Sequence, residues 1–171
     1  MSRAARGEAD CFGALVGRYQ NALLNFFRRQ GVTHADAEDL VQRAFLRVWN
    51  YRDRWRPEAR FTTFLFFVAN QVKIDFFRAE GRRRTLEDGF EEVQKAEGAA
   101  RVRPGAEAAP CAGEDVRAAV AKLPEGLRDV VELGVFQDLP YAEVSEILGI
   151  PAGTVKSRMF NALRKLKELM T

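Results

Sequence analysis

Histidine, cysteine and long apolar runs are all scarce in this chain of 171 residues. His34 is the only histidine, and neither Cys11 nor Cys111 has a second cysteine or a histidine nearby in metal-ligand spacing. We therefore expect no zinc site, no disulfide framework and no cofactor. The longest apolar stretch, Phe64 to Ala69, has six residues, whereas a membrane-spanning helix needs roughly 18. The N-terminus also has no apolar signal region, so we expect a cytoplasmic protein without membrane insertion.

Basic and acidic side chains are unevenly distributed, although the net charge is only +3. Residues 1–84 carry 16 basic and 9 acidic side chains, which gives a net charge of +7. Residues 85–113 have a net charge of −3, and residues 151–171 have one of +4. Two basic regions separated by an acidic segment indicate two separate contacts with a polyanion. The alternative is that both regions are ordinary solvated helix faces.

Apolar residues recur with helical spacing in the first 84 residues and predict three helices. Gly31 is expected to end the first helix, and Thr33 to cap the second, with Asp36 in its first turn. The third helix is expected to begin near Thr62 or Thr63 and to end before Gly81. The three apolar faces consist of Phe12, Leu15, Val16, Tyr19, Leu23, Phe26 and Phe27; of Ala37, Leu40, Val41, Ala44, Phe45 and Val48; and of Phe61, Phe64, Leu65, Val68, Ala69, Val72 and Phe76.

Residues 85–113 have a different composition, rich in alanine and glycine and poor in large apolar residues. A short helix around Leu86 to Gln94 is compatible with the pattern, and the rest is predicted to be a flexible acidic linker. We therefore predict an all-α protein in which two small helical domains, residues 1–84 and residues 114–171, are joined by this linker.

Helical periodicity returns after residue 113 and predicts four further helices. Pro124 is expected to stop the first of them. Pro140 suits the first turn of the third, because its missing N–H would be unpaired there anyway. The last helix is expected to begin near Ala152. The buried faces are expected to be Val116, Val120 and Leu123; Leu127, Val130, Val131 and Val135; Val144, Ile147 and Leu148; and Val155, Met159, Ala162, Leu163 and Leu166.

Residues 141–158 have the spacing of a helix-turn-helix motif. Ser145 is a small residue four positions before Gly149, so two helices can cross closely and the glycine can form the turn. Ile150 and Val155 can bury the corner. In such motifs the second helix contacts base edges and phosphates. The outward face of this helix predicts duplex-DNA contacts at Thr154, Lys156, Ser157, Arg158, Asn161, Arg164 and Lys165.

The third predicted helix has more aromatic residues than one buried face needs. Phe66, Phe67 and Phe77 fall partly off the apolar stripe, among amide and basic side chains. Exposed rings in such surroundings can stack on unpaired bases while cations bind phosphates. The alternative is that these rings pack on the first helix or between the domains.

Three segments, in this order, resemble the extracytoplasmic-function group of sigma-70 family factors. Residues 36–49, DAEDLVQRAFLRVW, resemble the core-binding helix of that family, and residues 61–78, FTTFLFFVANQVKIDFFR, resemble its promoter-melting helix. Leu123-Pro124, Arg128 and the helix-turn-helix that ends in GTVKSR resemble its second domain. The order of the three segments, with a variable linker between the domains, is more specific than any one of them.

The resemblance implies a sigma factor that binds RNA polymerase core and directs promoter-specific transcription initiation, with an anti-sigma factor as a regulatory partner. The first domain would bind the β′ clamp helices and read the −10 element of the promoter DNA as a single strand. The second would contact the β flap and read the −35 element as duplex. Catalysis would belong to the polymerase, so no catalytic residue is expected here. The implied core contacts are Asp39, Gln42, Phe45, Leu46 and Trp49, and the implied −10 contacts are Arg60, Phe64, Phe67, Asn70, Gln71, Lys73 and Arg78.

Two other functions fit parts of the sequence. A repressor or activator with a similar helix-turn-helix would bind duplex DNA without polymerase, usually as a dimer, but it would leave residues 36–49 unexplained. A nuclease would need clustered carboxylates or histidines. The tight acidic group Asp36, Glu38 and Asp39 lies in the first turn of a predicted helix, where the helix dipole accounts for it.

Overall fold

The computed structural model describes residues 9–52, 60–88 and 114–170, and all regular structure within these ranges is helical. The elements are α1 (Ala9–Arg29), α2 (His34–Asn50), α3 (Phe61–Asp88), α4 (Glu114–Ala121), α5 (Glu125–Val131), a π-helical turn (Glu132–Phe136), α6 (Tyr141–Leu148) and α7 (Ala152–Met170). The first three helices pack together as one domain and the remaining elements as a second. The all-α prediction is confirmed.

The ends of α1 and α2 follow the sequence signals. Gly31 has a φ of 83°, a left-handed conformation that suits glycine after the end of α1. Thr33 caps α2, because its side-chain oxygen accepts a hydrogen bond of 3.2 Å from the backbone N–H of Asp36. The Thr33 hydroxyl also donates to the Asp36 carboxylate at 2.6 Å. The sequence expectations for both helix ends are confirmed.

Aromatic side chains dominate the core of the first domain. Phe26 and Phe66 are almost fully buried, and their rings meet edge to face with centroids 5.6 Å apart. Tyr19 meets Phe61 in the same way at 5.3 Å. Phe66 therefore packs on α1, which was the alternative interpretation of its position. Phe67 and Phe77 remain exposed.

The third helix is longer than the sequence predicted. It continues through Gly81 to Asp88, so the expected end before Gly81 was wrong. A single glycine costs a helix about 1 kcal/mol relative to alanine, but it retains its N–H and can keep helical dihedrals. Three arginines follow it, and arginine favours helix. Residues 85–88 of the predicted linker thus belong to α3, whereas residues 89–113, with the rest of the short helix compatible with Leu86 to Gln94, lie outside the described residues.

The second domain contains a π-helical turn that the sequence did not reveal. The backbone N–H of Gln137 bonds to the carbonyl oxygen of Glu132 at 3.1 Å, five residues back. The wider turn rotates the following side chains about the helix axis. As a result Leu133 is buried, whereas Val135, which α-helical periodicity placed on the buried face, is exposed. That expectation for Val135 was wrong.

Arg128 ties α4 to α5 at the proline stop. Its Nη2 donates to the carbonyl oxygens of Ala121 at 2.8 Å and Leu123 at 2.9 Å. Burial lowers the pKa of the Arg128 guanidinium, and the nearby carboxylates of Asp129 and Glu125 act in the opposite direction. The guanidinium thus satisfies carbonyl groups that the end of α4 leaves without helical partners.

Candidate nucleic-acid and polymerase interfaces

The turn between α6 and α7 is held by hydrogen bonds to Ser145. Gly149 caps α6 in the left-handed conformation with a φ of 65°, and its N–H bonds to the Ser145 carbonyl oxygen. The next N–H, of Ile150, reaches the same oxygen at 3.2 Å. The Ser145 hydroxyl donates to the Ile150 carbonyl oxygen at 2.6 Å. The sequence suggested only that Ser145 is small enough for the two helices to cross closely. In the structure its hydroxyl also stabilises the turn through this hydrogen bond. Val155 is fully buried, as expected for the corner.

The outward face of α7 presents most of the predicted duplex-DNA contacts to solvent. Exposed members of the set are Lys156, Ser157, Asn161, Arg164 and Lys165, whereas Thr154 and Arg158 are half-buried. The Ser157 hydroxyl donates to the Thr154 carbonyl oxygen at 3.0 Å. The Arg158 guanidinium lies over Gly126 of α5, since a Cβ placed on that glycine would lie 3.1 Å from Arg158 Nη1.

Two large apolar side chains on α7 are exposed to solvent. Phe160 is 69% exposed and Leu163 is 53% exposed. Helical periodicity placed Leu163 inside, and this expectation was wrong. Ala162 is fully buried in the adjacent position, so the small residue takes the buried side of the helix and Leu163 turns outward. The exposure of Phe160 was not anticipated.

The predicted core-binding residues lie on two sides of α2. Asp39, Gln42 and Leu46 are exposed, and Leu46 has 63% of its surface accessible. Phe45, in contrast, is only 6% exposed and meets Phe12 edge to face at 6.2 Å. Trp49 is half-buried and also packs on Phe12, at 4.9 Å. On α2, the surface that a partner protein can reach is therefore formed by Asp39, Gln42 and Leu46. Phe45 belongs to the core of the first domain.

Leu46 borders a groove between α2 and α3. Val72 and Phe76 of α3 contribute apolar walls to this groove. The Arg47 guanidinium bridges the two helices through an ion pair of 3.0 Å with Asp75. The groove therefore has apolar walls and, at its border, the charged pair of Arg47 on α2 and Asp75 on α3.

The predicted −10 residues, which are Arg60 just before α3 and six residues on α3, fall into exposed and covered groups. Phe67, Arg78 and Arg60 are exposed, and Phe64 and Gln71 are half-buried. Asn70 is only 4% exposed and Lys73 only 2%. The second group is covered by the second domain, whose α6 packs against α3.

Polar contacts between the domains account for this burial. Asn70 Nδ2 donates to the Ile147 carbonyl oxygen at 3.2 Å. Lys73 Nζ donates to the Asp129 carboxylate at 2.7 Å. The sequence identifies Asn70 and Lys73 as polar residues on an aromatic helix, but nothing in their spacing indicates partners in the second domain.

Two further contacts join the domains, and the sequence patterns did not predict either pairing. Arg29 at the end of α1 makes two hydrogen bonds to Glu132, at 2.5 Å from Nε and 2.7 Å from Nη2. Its guanidinium also lies 4.3 Å from the centre of the Phe136 ring. The Thr63 hydroxyl donates to the Glu143 carboxylate. Glu132 is fully buried, and the π-helical turn that begins there places Phe136 next to the same arginine.

These observations define a helical DNA-binding protein in which a helix-turn-helix domain packs on a second, aromatic-rich helical domain. Two family models match the chain: Sigma-70 region 2 over residues 15–83, and Sigma-70, region 4 over residues 113–166. The ECF RNA polymerase sigma-E factors of Haemophilus influenzae and Escherichia coli strain K12 are each 30% identical over 168 residues. These matches cover 95% of this chain and 88% and 87% of those proteins. The chain belongs to the extracytoplasmic-function group of the sigma-70 family.

Solved structures share the fold across both domains. CnrH, in complex with the cytosolic domain of CnrY, gives a TM-score of 0.71 at 25% identity, over 99% of this chain and 93% of that one. The sigma factor RpoE of Bartonella quintana, in complex with the anti-sigma factor NepR, gives 0.75 at 24% identity, over 93% and 96%. With the family matches, this makes the protein an RNA polymerase sigma factor, and the repressor or activator alternative is not favoured.

Metal-binding clusters and membrane-spanning helices are both absent from the part of the chain that the structure describes. Its residues contain no group of three or more histidine, cysteine, aspartate or glutamate side chains placed to hold a metal ion. None of the described helices is long and apolar enough to cross a membrane.

Proposed function

We propose that this sigma factor binds polymerase core through α2, reads the −10 element as a single strand with α3, and reads the −35 element as duplex with α7. The observation that carries the proposal is the exposed, cation-bearing face of α7 directly behind the Gly149 turn. A helix presented in this way can enter the major groove of DNA, with the start of the helix near base edges and flanking cations near phosphates. Lys156 is the central contact.

The first domain would supply two activities from neighbouring helices. The exposed side of α2, with Asp39, Gln42 and Leu46, would dock on the β′ clamp helices. On α3, Phe67 would stack on an unpaired base, while Lys73 and Arg78 would neutralise phosphates. Stacking and hydrogen bonding would offset the free-energy cost of unpairing the base. The second domain would contact the β flap.

An anti-sigma factor is the proposed regulatory partner. CnrH, whose fold this chain shares along its length, was solved with a bound protein domain, which supports a similar complex here. We also propose a cytoplasmic location, no catalytic residues, and functional domains that span residues 1–84 and 114–171 on either side of a linker at 85–113.

In vitro transcription tests the proposal. Purified chain is combined with core polymerase and genomic DNA, and the transcript starts are mapped. We expect a defined set of start sites that share upstream elements and that disappear when the chain is omitted. A chain that binds core but yields no such starts, or that binds promoter duplex equally well without core, would contradict it.

A further inference from the structure

We propose that Gly126 is a positioning residue for DNA binding. Its contact holds the Arg158 guanidinium against α5, and the guanidinium held there binds one backbone phosphate of the promoter duplex. This inference rests on the proposed reading of the −35 element by α7, and it adds a residue outside the helix-turn-helix to that site. The sequence motif assigns Arg158 neither a phosphate nor a base, and it assigns Gly126 no role.

Arg158 differs from the other partly buried cations in the described ranges. Six arginine and lysine side chains there are half-buried or buried, and five of them donate to an oxygen of the protein: Arg29, Arg47, Arg52, Lys73 and Arg128. Arg158 is the sixth, and within the described residues its guanidinium makes no hydrogen bond or ion pair. Removing a cation from water is unfavourable unless another acceptor replaces the water. The donors of Arg158 are therefore suited to an acceptor that a second molecule supplies.

Gly126 accounts for the position of this guanidinium. A Cβ placed on Gly126 would lie 3.1 Å from Nη1, 3.4 Å from Cζ and 3.8 Å from Nε of Arg158. Three successive atoms of the guanidinium group thus lie over one backbone position, and a side chain there would crowd them. Gly126 has no positive φ, so its backbone conformation does not require glycine, and glycine disfavours helix relative to alanine. We therefore attribute the glycine to its contact with Arg158.

Arg158 lies on the flank of α7 and not on its outermost face. Ser157 and Arg164 point away from the buried side of α7, and Arg158 follows Ser157 by about 100° around the helix axis. An α-helix with its side chains is about 10–12 Å wide, which is close to the roughly 12 Å width of the major groove. A helix that fills the groove therefore meets base edges with its outward residues and backbone phosphates with its flanks.

The chemistry of the guanidinium group also favours a phosphate. Its planar fork can donate two parallel hydrogen bonds to phosphate oxygens. Solvent reaches the guanidinium nitrogens of Arg158, so a phosphate can reach them as well. Packing on Gly126 restricts the rotamers of the side chain before DNA binds, so that less conformational entropy is lost when the phosphate contact forms.

A double-mutant cycle on the full-length chain tests the Gly126–Arg158 contact. Its members are wild type, Arg158→Ala, Gly126→Leu and the double variant. Leucine favours helix, and its side chain would displace the guanidinium. The Arg158→Ala background is the matched control, because Gly126→Leu has no guanidinium to displace there. Urea unfolding verifies that every member is folded, and Gly126→Ala, which makes a smaller displacement, takes the place of Gly126→Leu if leucine unfolds the domain.

Each member is titrated on two kinds of duplex over a series of salt concentrations. The first is a fluorescent duplex of unrelated sequence, roughly 20 base pairs or two helical turns long, bound by the chain without polymerase. The second is mapped promoter DNA bound by holoenzyme, together with versions that change single base pairs of the −35 element. The first series measures phosphate contacts alone, and the second separates phosphate contacts from base contacts.

Arg158→Ala should weaken both complexes about tenfold and reduce the magnitude of the salt slope by about 0.9. The loss should be the same for every version of the −35 element, because a phosphate carries no sequence information. Gly126→Leu should weaken binding about threefold while Arg158 is present, and it should have no effect in the Arg158→Ala background.

Three results would overturn the inference. Equal losses from Gly126→Leu in both backgrounds would show that Gly126 does not act through Arg158. An unchanged salt slope in Arg158→Ala would exclude the phosphate contact. A loss in Arg158→Ala that is confined to one base pair of the −35 element would assign Arg158 to a base.

Failure of the proposed function is distinguishable from failure of this inference. The titration on unrelated duplex uses neither polymerase nor promoter, so its outcome stands even if the chain initiates no transcription. Conversely, a holoenzyme that initiates normally while all four members bind DNA equally retains the proposed function without the phosphate contact of Arg158.

Discussion

Single side chains on α7 differ in how freely they can reach DNA. Lys156 extends from an exposed position, whereas the Arg158 guanidinium rests on Gly126. From sequence alone these two cations are equivalent, because helical spacing gives the direction of a side chain but not its rotamer. Only the packing of α5 against α7 separates them.

Lys156→Ala is expected to weaken binding to promoter duplex and to reduce the magnitude of the salt slope by about 0.9, the contribution of one phosphate contact. The measurement is a titration of holoenzyme on mapped promoter DNA at several salt concentrations. Lys122→Ala, which removes an exposed lysine at the end of α4, serves as the control and should leave the slope unchanged. A slope that is equally unchanged in Lys156→Ala would show that this face of α7 does not meet the DNA backbone.

The sequence indicated the chemical character of the candidate site residues, but it did not predict how deeply each of them is buried. Asn70 and Lys73 were recognised as polar groups on an aromatic helix, yet the structure buries both. The sequence around them cannot reveal this burial, because the groups that cover them come from α5 and α6. The expectation for Leu163 failed for a related reason. Ala162 and Leu163 both fit the 3.6-residue period and were both predicted to be buried, but only the smaller Ala162 is buried.

At the scale of the helix, α2 separates the residues that hold the fold from those that can bind a partner. Leu46→Asp is expected to weaken core-polymerase binding without unfolding the chain, since Leu46 is exposed. Phe45→Ala is expected to destabilise the first domain by about 3 kcal/mol, because it removes a buried ring. Denaturant unfolding and core-binding titrations separate the two effects. Normal core affinity in folded Leu46→Asp would exclude this side of α2 as the docking surface.

Glycines at the two ends of the helix-turn-helix corner should respond oppositely to substitution. Gly149 has a φ of 65°, so Gly149→Ala is expected to destabilise the second domain by about 1 kcal/mol. Gly153 lies in the first turn of α7 with no positive φ, and a Cβ added there would meet no atom within 4 Å. Gly153→Ala should therefore stabilise by about 0.5 kcal/mol. Urea unfolding curves measure both, and a shift of the same sign in both variants would contradict this account of the turn.

Helix positions were largely predictable, and the exceptions have identifiable causes. The stops at Gly31, Pro124 and Gly149 follow from backbone chemistry that the residue types carry themselves. Gly81 was misread as a stop because the same residue can end a helix or sit within one. The π-helical turn left no local signal, since it depends on bonding from Gln137 back to Glu132.

For the whole molecule, the relation between the two domains was beyond the reach of sequence reasoning. The partners that join them are 56 to 103 residues apart, and helical periodicity acts only within a helix. Charge asymmetry was visible, but it was interpreted as two contacts with a polyanion. The structure shows that part of the positive charge on the first domain is instead matched by carboxylates of the second.

The Arg29–Glu132 pair offers a measure of how strongly the domains are coupled. Arg29→Gln would leave a fully buried carboxylate with only Gln137 Nε2, at 2.9 Å, as a described side-chain partner. Removing one member of a buried pair typically costs about 3 kcal/mol. Glu132→Gln should cost less, because Arg29 keeps some contact with solvent.

A double-mutant cycle tests this coupling directly. The free energy of unfolding is measured for wild type, Arg29→Gln, Glu132→Gln and the double variant, and the double variant should be clearly more stable than the sum of the single losses predicts. A parallel cycle on Arg47 and Asp75, a more exposed pair within the first domain, should yield a coupling below about 1 kcal/mol. Strict additivity at Arg29 and Glu132 would mean that the contact contributes nothing to holding the domains together. A coupling well above that of the exposed pair would show that the buried carboxylate is stabilised across the domain boundary.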